Sequence, residues 1–259
     1  MSNALTDSQP AQAEIVRYGD ETADIHSSSD EYAARFSGPV GAWMLAVQER
    51  AVLAALDHEC TTVLDVGGGH GQIAVPLSKA NRSVTVLGSA HICAERLRDF
   101  IESGAIAFRA GNLIELPFPD QSFNVVASFR LMSHCTVWRA LVKEMCRASN
   151  HAVIVDYPVW FSFNFLTPLL FRIKHMIEGN TRTYRIFSSW EVRREFKRNG
   201  YRLESVTYQF FFPMGLHRAL KSPTLSRRLE SIARGLGLTW LFGSPAVAKF
   251  VRVEGKPRG

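Results

Sequence analysis

The sequence lacks a long apolar run, paired cysteines and a basic leader, and each absence excludes a class of protein. Its most apolar stretch, residues 159–171, is short and interrupted by polar residues and a proline, so it cannot cross a bilayer. The four cysteines are scattered without a CxxC pair, which argues against a disulfide framework and against a zinc site. No secretory leader is visible. We therefore expect a cytoplasmic protein without a metal.

Acidic residues are scarce in the second part of the chain. Residues 157–259 contain 18 lysines and arginines against 6 acids, whereas residues 1–156 contain 12 against 18. Such a basic part is either a solvated face or a contact for an acidic partner such as RNA or an anionic membrane surface. A membrane contact predicts one common basic face, formed by Arg218, Lys221, Arg227, Arg228 and Arg234.

Strand-like apolar runs alternate with helix-like stretches over most of the chain. The predicted strands are residues 61–66, 83–88, 105–111, 122–129 and 150–158, followed after a gap by 201–212 and 244–254. Strands separated by helices of this length indicate βαβ units and a parallel sheet that is buried on both faces. The pattern predicts an α/β fold.

Three regions differ in character from this core. Residues 1–28 are polar and aperiodic, so we expect a flexible N-terminal tail followed by a single domain over 29–259. Within that domain we expect a core over 29–158, a helical lid insert over 159–200 and a basic C-terminal part over 201–259. Ser188 and Glu191 form a capping-box pattern that predicts a helix ending near Asn199.

The stretch TTVLDVGGGHG places three consecutive glycines and a fourth two residues later directly after the first predicted strand. A strand, a glycine-rich turn and a helix in this order predict a nucleotide site at the carboxyl edge of a parallel sheet. Dinucleotide enzymes space their glycines as GxGxxG. Here Gly67, Gly69 and Gly71 are spaced as GxGxG, which disfavours a nicotinamide dehydrogenase.

A second motif follows about fifty residues later. The segment GNLIELPFPDQSFNVVASFRLMSH begins at Gly111, and WRALVKEMCRASNHAVIVDYP begins at Trp138. Together with VLDVGGGHG, these segments resemble the class I S-adenosylmethionine (SAM) dependent methyltransferases, in particular the type 11 group that includes quinone-biosynthesis enzymes. The resemblance implies a Rossmann-like, seven-stranded, mostly parallel sheet with helices on both faces and a helical lid after the fifth strand.

The resemblance also implies which residues bind the cofactor SAM. Asp65 would orient the amino-acid end of the cofactor, although it could instead hold its own turn. The other residues implied to line the cofactor are Gly67, Gly68, Gly69, Gly71, Ser89, Asn112, Leu113, Phe129 and Arg130.

Two positions depart from the family pattern. The family usually carries an acid at the end of the second strand, where it accepts the ribose hydroxyls, and this chain has Gly88 followed by Ser89. Ser89 offers a neutral hydrogen bond, which is weaker than a charge-assisted one. Asn112 replaces an Asp that commonly meets the adenine amino group, and its carbonyl oxygen can still accept that bond. The glycine leaves open weaker cofactor binding, a compensating residue elsewhere or loss of catalysis.

The methyl acceptor would lie beyond the fourth and fifth strands and under the lid. His134 is either a base or a packed histidine, and Asp156 is either a pocket carboxylate or a helix cap; both are candidates for the proton transfer that a hydroxyl or acidic carbon requires. The candidate substrate contacts are Tyr157, His175, Glu178 and Tyr184. Aromatic residues beside these polar groups predict a small, hydrophobic acceptor of quinone, polyketide or lipid type.

Two other functions stay open at this level. A nucleic-acid methyltransferase would explain the basic C-terminal part, but no Asn/Asp-Pro-Pro-Tyr/Phe segment follows the fourth strand. A non-catalytic SAM-binding protein would explain Gly88.

Overall fold

Seven strands form one sheet in the order β3-β2-β1-β4-β5-β7-β6 in the computed structural model, which describes residues 19, 21–162 and 184–253. The strands are β1 (Thr62–Val66), β2 (Ser83–Gly88), β3 (Ile106–Ala110), β4 (Phe123–Ser128), β5 (Ser149–Tyr157), β6 (Tyr201–Phe210) and β7 (Ser244–Arg252). Each of the seven predicted strands is present within a few residues of its expected bounds, which confirms the fold class.

The sheet is parallel except around its last strand. β1 pairs in parallel with β2 and β4, and β4 pairs in parallel with β5. β7 lies antiparallel between β5 and β6. Because the chain leaves β1 towards β2 on one side and later returns to β4 on the other, strand order reverses between β1 and β4. Ligands of open α/β sheets bind at the carboxyl ends of the strands at such a reversal.

Helices cover both faces and the N-terminal side of the sheet. They are α1 (Ala23–Ser27), α2 (Asp30–Ala34), α3 (Gly38–Ala55), α4 (Ala74–Lys79), a 3₁₀ helix (His91–Leu97), α5 (Arg98–Glu102), α6 (Trp138–Ala148), α7 (Ser189–Arg198), α8 (Met214–Leu220), α9 (Pro223–Gly235) and α10 (Leu238–Phe242). α7 begins with the predicted capping box of Ser188 and Glu191. The last short helix, α10, has no counterpart in the sequence prediction.

Two apolar layers enclose the sheet. On one face Trp138 and Met145 of α6 and Phe196 of α7 pack against the strands, and all three side chains are buried. On the other face Ile73 and Leu77 pack with strand residues. The strands read as continuous apolar runs because both of their faces are covered.

The LPFPD string is held in place by hydrogen bonds from one arginine. Arg147, at the end of α6, donates to the carbonyl oxygens of Leu116 and Phe118 at 2.9 and 2.8 Å and to the Asp120 carboxylate at 2.8 Å. Glu144 pairs with Arg147 at 2.8 Å and accepts the Leu116 N–H at 2.9 Å. The string therefore docks the loop before β4 onto α6.

The flexible tail was predicted to extend to residue 28, but the last residues of that range are folded. Residues 21–28 contain α1, and Asp24 has no exposed surface. The segment packs onto the carboxyl edge of the sheet through polar contacts with Ser89 and Thr136. Hydrophobic periodicity could not reveal it, because polar contacts hold it in place. We call residues 21–28 the N-terminal strap.

The predicted lid lies partly outside the described residues. The described part runs along β5's end, where Trp160 N–H donates to the Phe187 carbonyl oxygen at 2.8 Å and Phe187 N–H donates to Pro158 at 2.9 Å. Phe187 is fully buried against Trp138. The ends of the insert are thus joined to the core, while residues 163–183 are not described.

The five basic residues predicted to share one face lie on α8 (Arg218), directly after it (Lys221) and on α9 (Arg227, Arg228 and Arg234), and the membrane contact stays a prediction. Arg218 on α8 is desolvated beside the charges of Arg35 and Arg130, which lowers its pKa. Arg227 and Arg234 on α9 instead line a groove against α3. In the described part of the chain, no helix is long and apolar enough to span a membrane.

Candidate functional site

The glycine turn follows β1 at the strand-order reversal. Gly67 and Gly71 have φ angles of +75° and +73°, a conformation that side-chain-bearing residues rarely adopt. Gly67 N–H donates to the Leu87 carbonyl oxygen at 2.8 Å, and Gly71 N–H donates to that of Gly68 at 2.8 Å. These bonds fix a tight turn whose backbone faces the strand ends.

Asp65 lies under this turn without a hydrogen-bond partner. Its side chain is 1% exposed, and neither carboxylate oxygen has a partner among the described residues. Burial raises the pKa of Asp65 to about 8, since a lone charge is costly in an apolar environment. A β carbon on Gly68 would collide with this carboxylate, so a glycine is required directly above it. The unpaired acid fits a cationic ligand group.

Two more unpaired polar atoms border the same space. Nε2 of His70 and Nε2 of Gln72 are buried and have no hydrogen-bond partner in the described structure. Together with Asp65 and Phe129 they line a cavity of about 20 Å³, which holds about one water molecule. Buried polar groups are normally paired, so this cluster is arranged for a polar ligand.

The N-terminal strap brings a carboxylate to the end of β2. Asp24 accepts the Ser89 N–H at 2.7 Å and the Ser89 hydroxyl at 2.5 Å. The Cys93 thiol lies 3.4 Å from the same carboxylate. Desolvation raises the pKa of Asp24, while its bonds from Ser89 oppose the rise. The N-terminal strap thus places a carboxylate at the end of β2.

The strap also touches the other elements expected to bind the cofactor. Glu21 accepts the Thr136 N–H at 3.1 Å, and a β carbon on Gly69 would collide with the Ser28 hydroxyl. A β carbon on Gly19 would lie 2.8 Å from Oδ1 of Asn112. The N-terminal strap and Gly19 thus lie against residues of the glycine turn, the end of β3 and the loop before α6.

Gly88 has a packing reason to be glycine. A β carbon there would lie 2.8 Å from Cβ of Cys93 and 3.0 Å from the Phe108 ring. The aromatic ring on β3 occupies the space that a side chain on β2 would need. A carboxylate at position 88 is therefore sterically excluded.

The two predicted cofactor residues after β3, Asn112 and Leu113, make contacts within the protein, and their roles towards a cofactor stay predictions. Oδ1 of Asn112 accepts the Ile114 N–H at 3.0 Å, so one of its two lone pairs is already used. Leu113 has no exposed surface and belongs to the apolar core beside Trp138. Its side chain stabilises the fold, and only its backbone can face a ligand.

Arg130 follows β4 and contacts both the end of β5 and the middle of α3. It has a φ angle of +58°, and its N–H donates to Oδ1 of Asp156 at 2.6 Å. Its guanidinium donates to Oε1 of Gln48 at 2.8 Å and lies 4.3 Å from the Phe36 ring centroid. Burial raises the pKa of Asp156 to about 6, although the charge of Arg130 opposes the rise. Asp156 is thus a carboxyl group that titrates near neutral pH.

His134 and Tyr184 adjoin this pair. Their ring centroids are 5.7 Å apart. Burial and the charge of Asp156 raise the pKa of Tyr184 to about 12. The structure therefore brings Arg130, Asp156, His134 and Tyr184 into one polar cluster at the edge of the sheet.

Of the other predicted substrate residues, Tyr157 is the one that the structure describes, and it is not part of this cluster. Tyr157 is 1% exposed and packs edge to face on Phe187, with ring centroids 6.0 Å apart. Its side chain lies on the opposite face of the strand from Asp156, since neighbouring strand residues point to opposite faces, and its role in substrate binding stays a prediction. His175 and Glu178 lie outside the described residues.

Sequence reasoning missed the strap acids and two aromatic residues. Tyr32 packs edge to face on His70, with ring centroids 5.7 Å apart, and Phe36 contacts the Arg130 guanidinium. Their four-residue spacing in EYAARF is typical of one helix face, a signal that was available, although α2 ends at Ala34 and Phe36 follows it. Asp24 and Glu21 gave no such signal.

One cluster has the donor types of a metal site. Ligand atoms of Asp57, Cys60 and His151 lie within 4.8 Å of one another. However, the Lys249 ammonium binds both Asp57 oxygens at 2.7 and 2.8 Å. Lys249 therefore supplies the positive charge at this position. The expectation that the protein binds no metal stays a prediction.

Comparison with known proteins agrees with this geometry. A family model described as a methyltransferase domain matches residues 63–151. The demethylmenaquinone methyltransferase of Deinococcus radiodurans is 28% identical over 150 residues. That alignment covers 52% of this chain and 61% of the relative, so the chain spans about three fifths of that protein's length.

Solved structures share the fold at low sequence identity. A magnesium protoporphyrin IX methyltransferase from Synechocystis PCC 6803 with bound SAH has a TM-score of 0.60 and 12% identity, covering 86% of this chain and 94% of that one. A SAM-dependent methyltransferase from Aquifex aeolicus has a TM-score of 0.54 and 12% identity, covering 86% and 97%. A [4+2]-cyclase has a TM-score of 0.54 and 17% identity, covering 95% and 89%.

These matches identify the fold as that of the class I methyltransferases, and residues 63–151 are similar to a methyltransferase domain. The magnesium protoporphyrin IX methyltransferase that shares this fold has SAH bound. The cyclase among the neighbours illustrates that this fold alone does not fix the reaction.

Proposed function

We propose that this class I methyltransferase domain binds SAM along the glycine turn and transfers its methyl group to a small hydrophobic acceptor. The observation that carries the proposal is the unpaired, buried carboxylate of Asp65 beneath the turn. A cation is the natural partner for such a group, and the amino-acid end of SAM carries an ammonium. When bound, SAM supplies a methyl group already activated on a sulfonium.

The chain's residues would then hold the cofactor at three points. Asp65 accepts from the ammonium, and the turn from Gly67 to Gly69 lets the backbone approach closely, since glycine has no β carbon. Asp24 accepts from the ribose hydroxyls in place of the acid that position 88 cannot carry. Carboxylates bind such hydroxyls more strongly than Ser89 alone would.

The polar cluster at the β4 and β5 ends would handle the acceptor. We assign the proton transfer to Asp156, because a carboxyl group with a pKa of about 6 suits a general base near neutral pH. The Arg130 N–H bond to Oδ1 orients this carboxyl group. His134 and Tyr184 provide the remaining polar contacts beside it.

An apolar acceptor is supported by two further features. Trp160 and Phe161 follow β5 and are 49% and 68% exposed. The relative that matches over 150 residues is named as acting on demethylmenaquinone. A reduced quinone has a hydroxyl group that a base can deprotonate, which agrees with the role assigned to Asp156.

Calorimetric titration of SAH tests the cofactor part of this proposal. We expect the wild type to bind SAH and Asp65→Asn to bind it about 10- to 100-fold more weakly, because one charge-assisted contact contributes about 1.5–3 kcal/mol. Asp99→Asn, a change at an exposed position on α5, is the matched control. A wild type that does not bind SAH would refute the proposal.

Methyl transfer from radiolabelled SAM tests the acceptor. We expect label in reduced demethylmenaquinone or another phenolic lipid and none in added RNA or DNA. Asp156→Asn should lower kcat and leave SAH binding near the wild-type value. Label in nucleic acid alone would replace this acceptor class with the alternative one.

A further inference from the structure

A groove separates α3 from β6 and α9, away from the polar cluster. Its two compartments have volumes of about 370 and 200 Å³. Both are lined by Val47, Arg50, Gln209 and Arg234, so they form one continuous space. Arg227 lines the second compartment. We call this space the arginine groove.

Positive charge exceeds negative charge in the arginine groove. Three guanidinium groups, of Arg50, Arg227 and Arg234, line it together with a single acid, Glu230. The Glu230 carboxylate already accepts the Phe211 N–H at 2.9 Å and the His217 ring nitrogen at 2.9 Å. Among the described residues, no ion pair engages any of the three arginines. The groove thus offers cationic donors without an acidic partner of their own.

An unpaired amide lies between these arginines. Gln209 lines both compartments, and its side chain is 1% exposed. Neither its Nε2 nor its Oε1 has a hydrogen-bond partner in the described structure. An amide buried without partners is costly, so a ligand whose entry moves the side chains over Gln209 gains a contact by pairing with it.

The remaining walls are apolar. Trp43 and Phe210 line one compartment, and Ala51 and Ala54 line the other. The Trp43 and Phe210 rings pack edge to face with centroids 5.4 Å apart. Guanidinium groups bind phosphate oxygens in a bidentate manner, and aromatic walls bury an apolar body beside them.

We propose that the arginine groove is a binding site for a phosphate group attached to an apolar body, held by Arg50, Arg227, Arg234 and Gln209. This site lies outside the cofactor and acceptor positions and does not depend on them. α3 borders both regions, since its Gln48 binds the Arg130 guanidinium while its Arg50 lines the groove.

Two sources can supply such a phosphate. A free organic phosphate would enter the groove from solution. A phospholipid headgroup would enter it at a membrane surface, where the neighbouring helices expose Ile232, Leu236 and Trp240 at 62%, 69% and 73%. Apolar side chains beside basic ones are typical of helices that lie on anionic bilayers.

The test measures binding of phenyl phosphate by calorimetry and of vesicles by sedimentation. The vesicles are phosphatidylcholine with and without phosphatidylglycerol. The variants are Arg50→Gln and Gln209→Leu, which remove a charge and an amide from the groove. Arg228→Gln is the matched control, because Arg228 is exposed on α9 beside Arg227 but does not line the groove. Melting temperatures establish that each variant is folded.

Arg50→Gln and Gln209→Leu should each weaken binding by roughly tenfold or more, as expected for loss of a charged or buried hydrogen bond. Arg228→Gln should change it less than about twofold. Binding of phenyl phosphate alone assigns a free organic phosphate, and binding of phosphatidylglycerol vesicles that phenyl phosphate reduces assigns a lipid headgroup. Absence of binding to both probes, or equal losses in Arg228→Gln and Arg50→Gln, would overturn the proposal.

Discussion

Replacing Asp24 with asparagine separates two roles for the strap. Asp24 lies on Ser89 at the end of β2, in the fully buried interior of the cofactor region. If Asp24 accepts the ribose hydroxyls, the amide provides a neutral acceptor in place of a charged one. The loss is about 1.5–3 kcal/mol, or about 10- to 100-fold in the dissociation constant of SAH.

The opposite result has an equally definite meaning. If Asp24 only fastens the strap over the cleft, weakening its bonds to Ser89 favours the open state, and SAH then binds more tightly. Calorimetry of SAH on Asp24→Asn therefore distinguishes the roles by the sign of the change. Asp30→Asn, whose side chain is 96% exposed on α2, is the matched control. Tighter or unchanged binding in Asp24→Asn would refute the ribose role while leaving cofactor binding itself intact.

Three further outcomes follow from buried contacts. Burial raises the pKa of Asp65 to about 8, so between pH 3.8 and 8 the folded protein keeps a proton on this carboxyl group that the unfolded chain has lost. The free energy of unfolding, measured with urea, should therefore fall as the pH rises from 6 to 8, and it should fall less in Asp65→Asn, which has no such proton. Arg147→Met should lower the free energy of unfolding, measured with urea, by about 2–4 kcal/mol, because Glu144 and two carbonyl groups lose their partner. The control Arg139→Met, at an exposed arginine, should lower it by less than about 1 kcal/mol. Gly88→Ala should cost about 1–3 kcal/mol through overpacking on Cys93 and Phe108, whereas Gly215→Ala, with open space around it, should not destabilise.

The sheet could be predicted because its signals are local. Runs such as SVTVLG are rich in β-branched and apolar residues, and that run coincides with β2. The glycine turn and the α7 capping box were equally readable, since each depends on residues within a few positions of one another. The LPFPD string was recognisable as a motif, but its partner Arg147 lies about thirty residues away on another element.

The strap could not be predicted because its contacts are distant and polar. Asp24 and Ser89 are separated by 65 positions, and no hydrophobic period marks residues 21–28. Tyr157 shows a related limit. The sequence predicts that it ends a strand, but it does not say which face of that strand is covered by the core and which face borders the site. Only the assembled sheet placed Asp156 beside Arg130 and Tyr157 against Phe187.

The glycine at position 88 and the acid at position 24 are best understood together. Phe108 fills the space beside β2, so a carboxylate can reach this strand end only from another element. Because this acid is on the strap, the ribose contact that we propose for Asp24 depends on the strap being closed over the strand ends. Amide hydrogen exchange of residues 21–28 should therefore slow when SAH binds to the wild type and much less when it binds to Asp24→Asn. Equal protection in both proteins would mean that closure depends on other strap contacts, such as the Glu21 bond to Thr136.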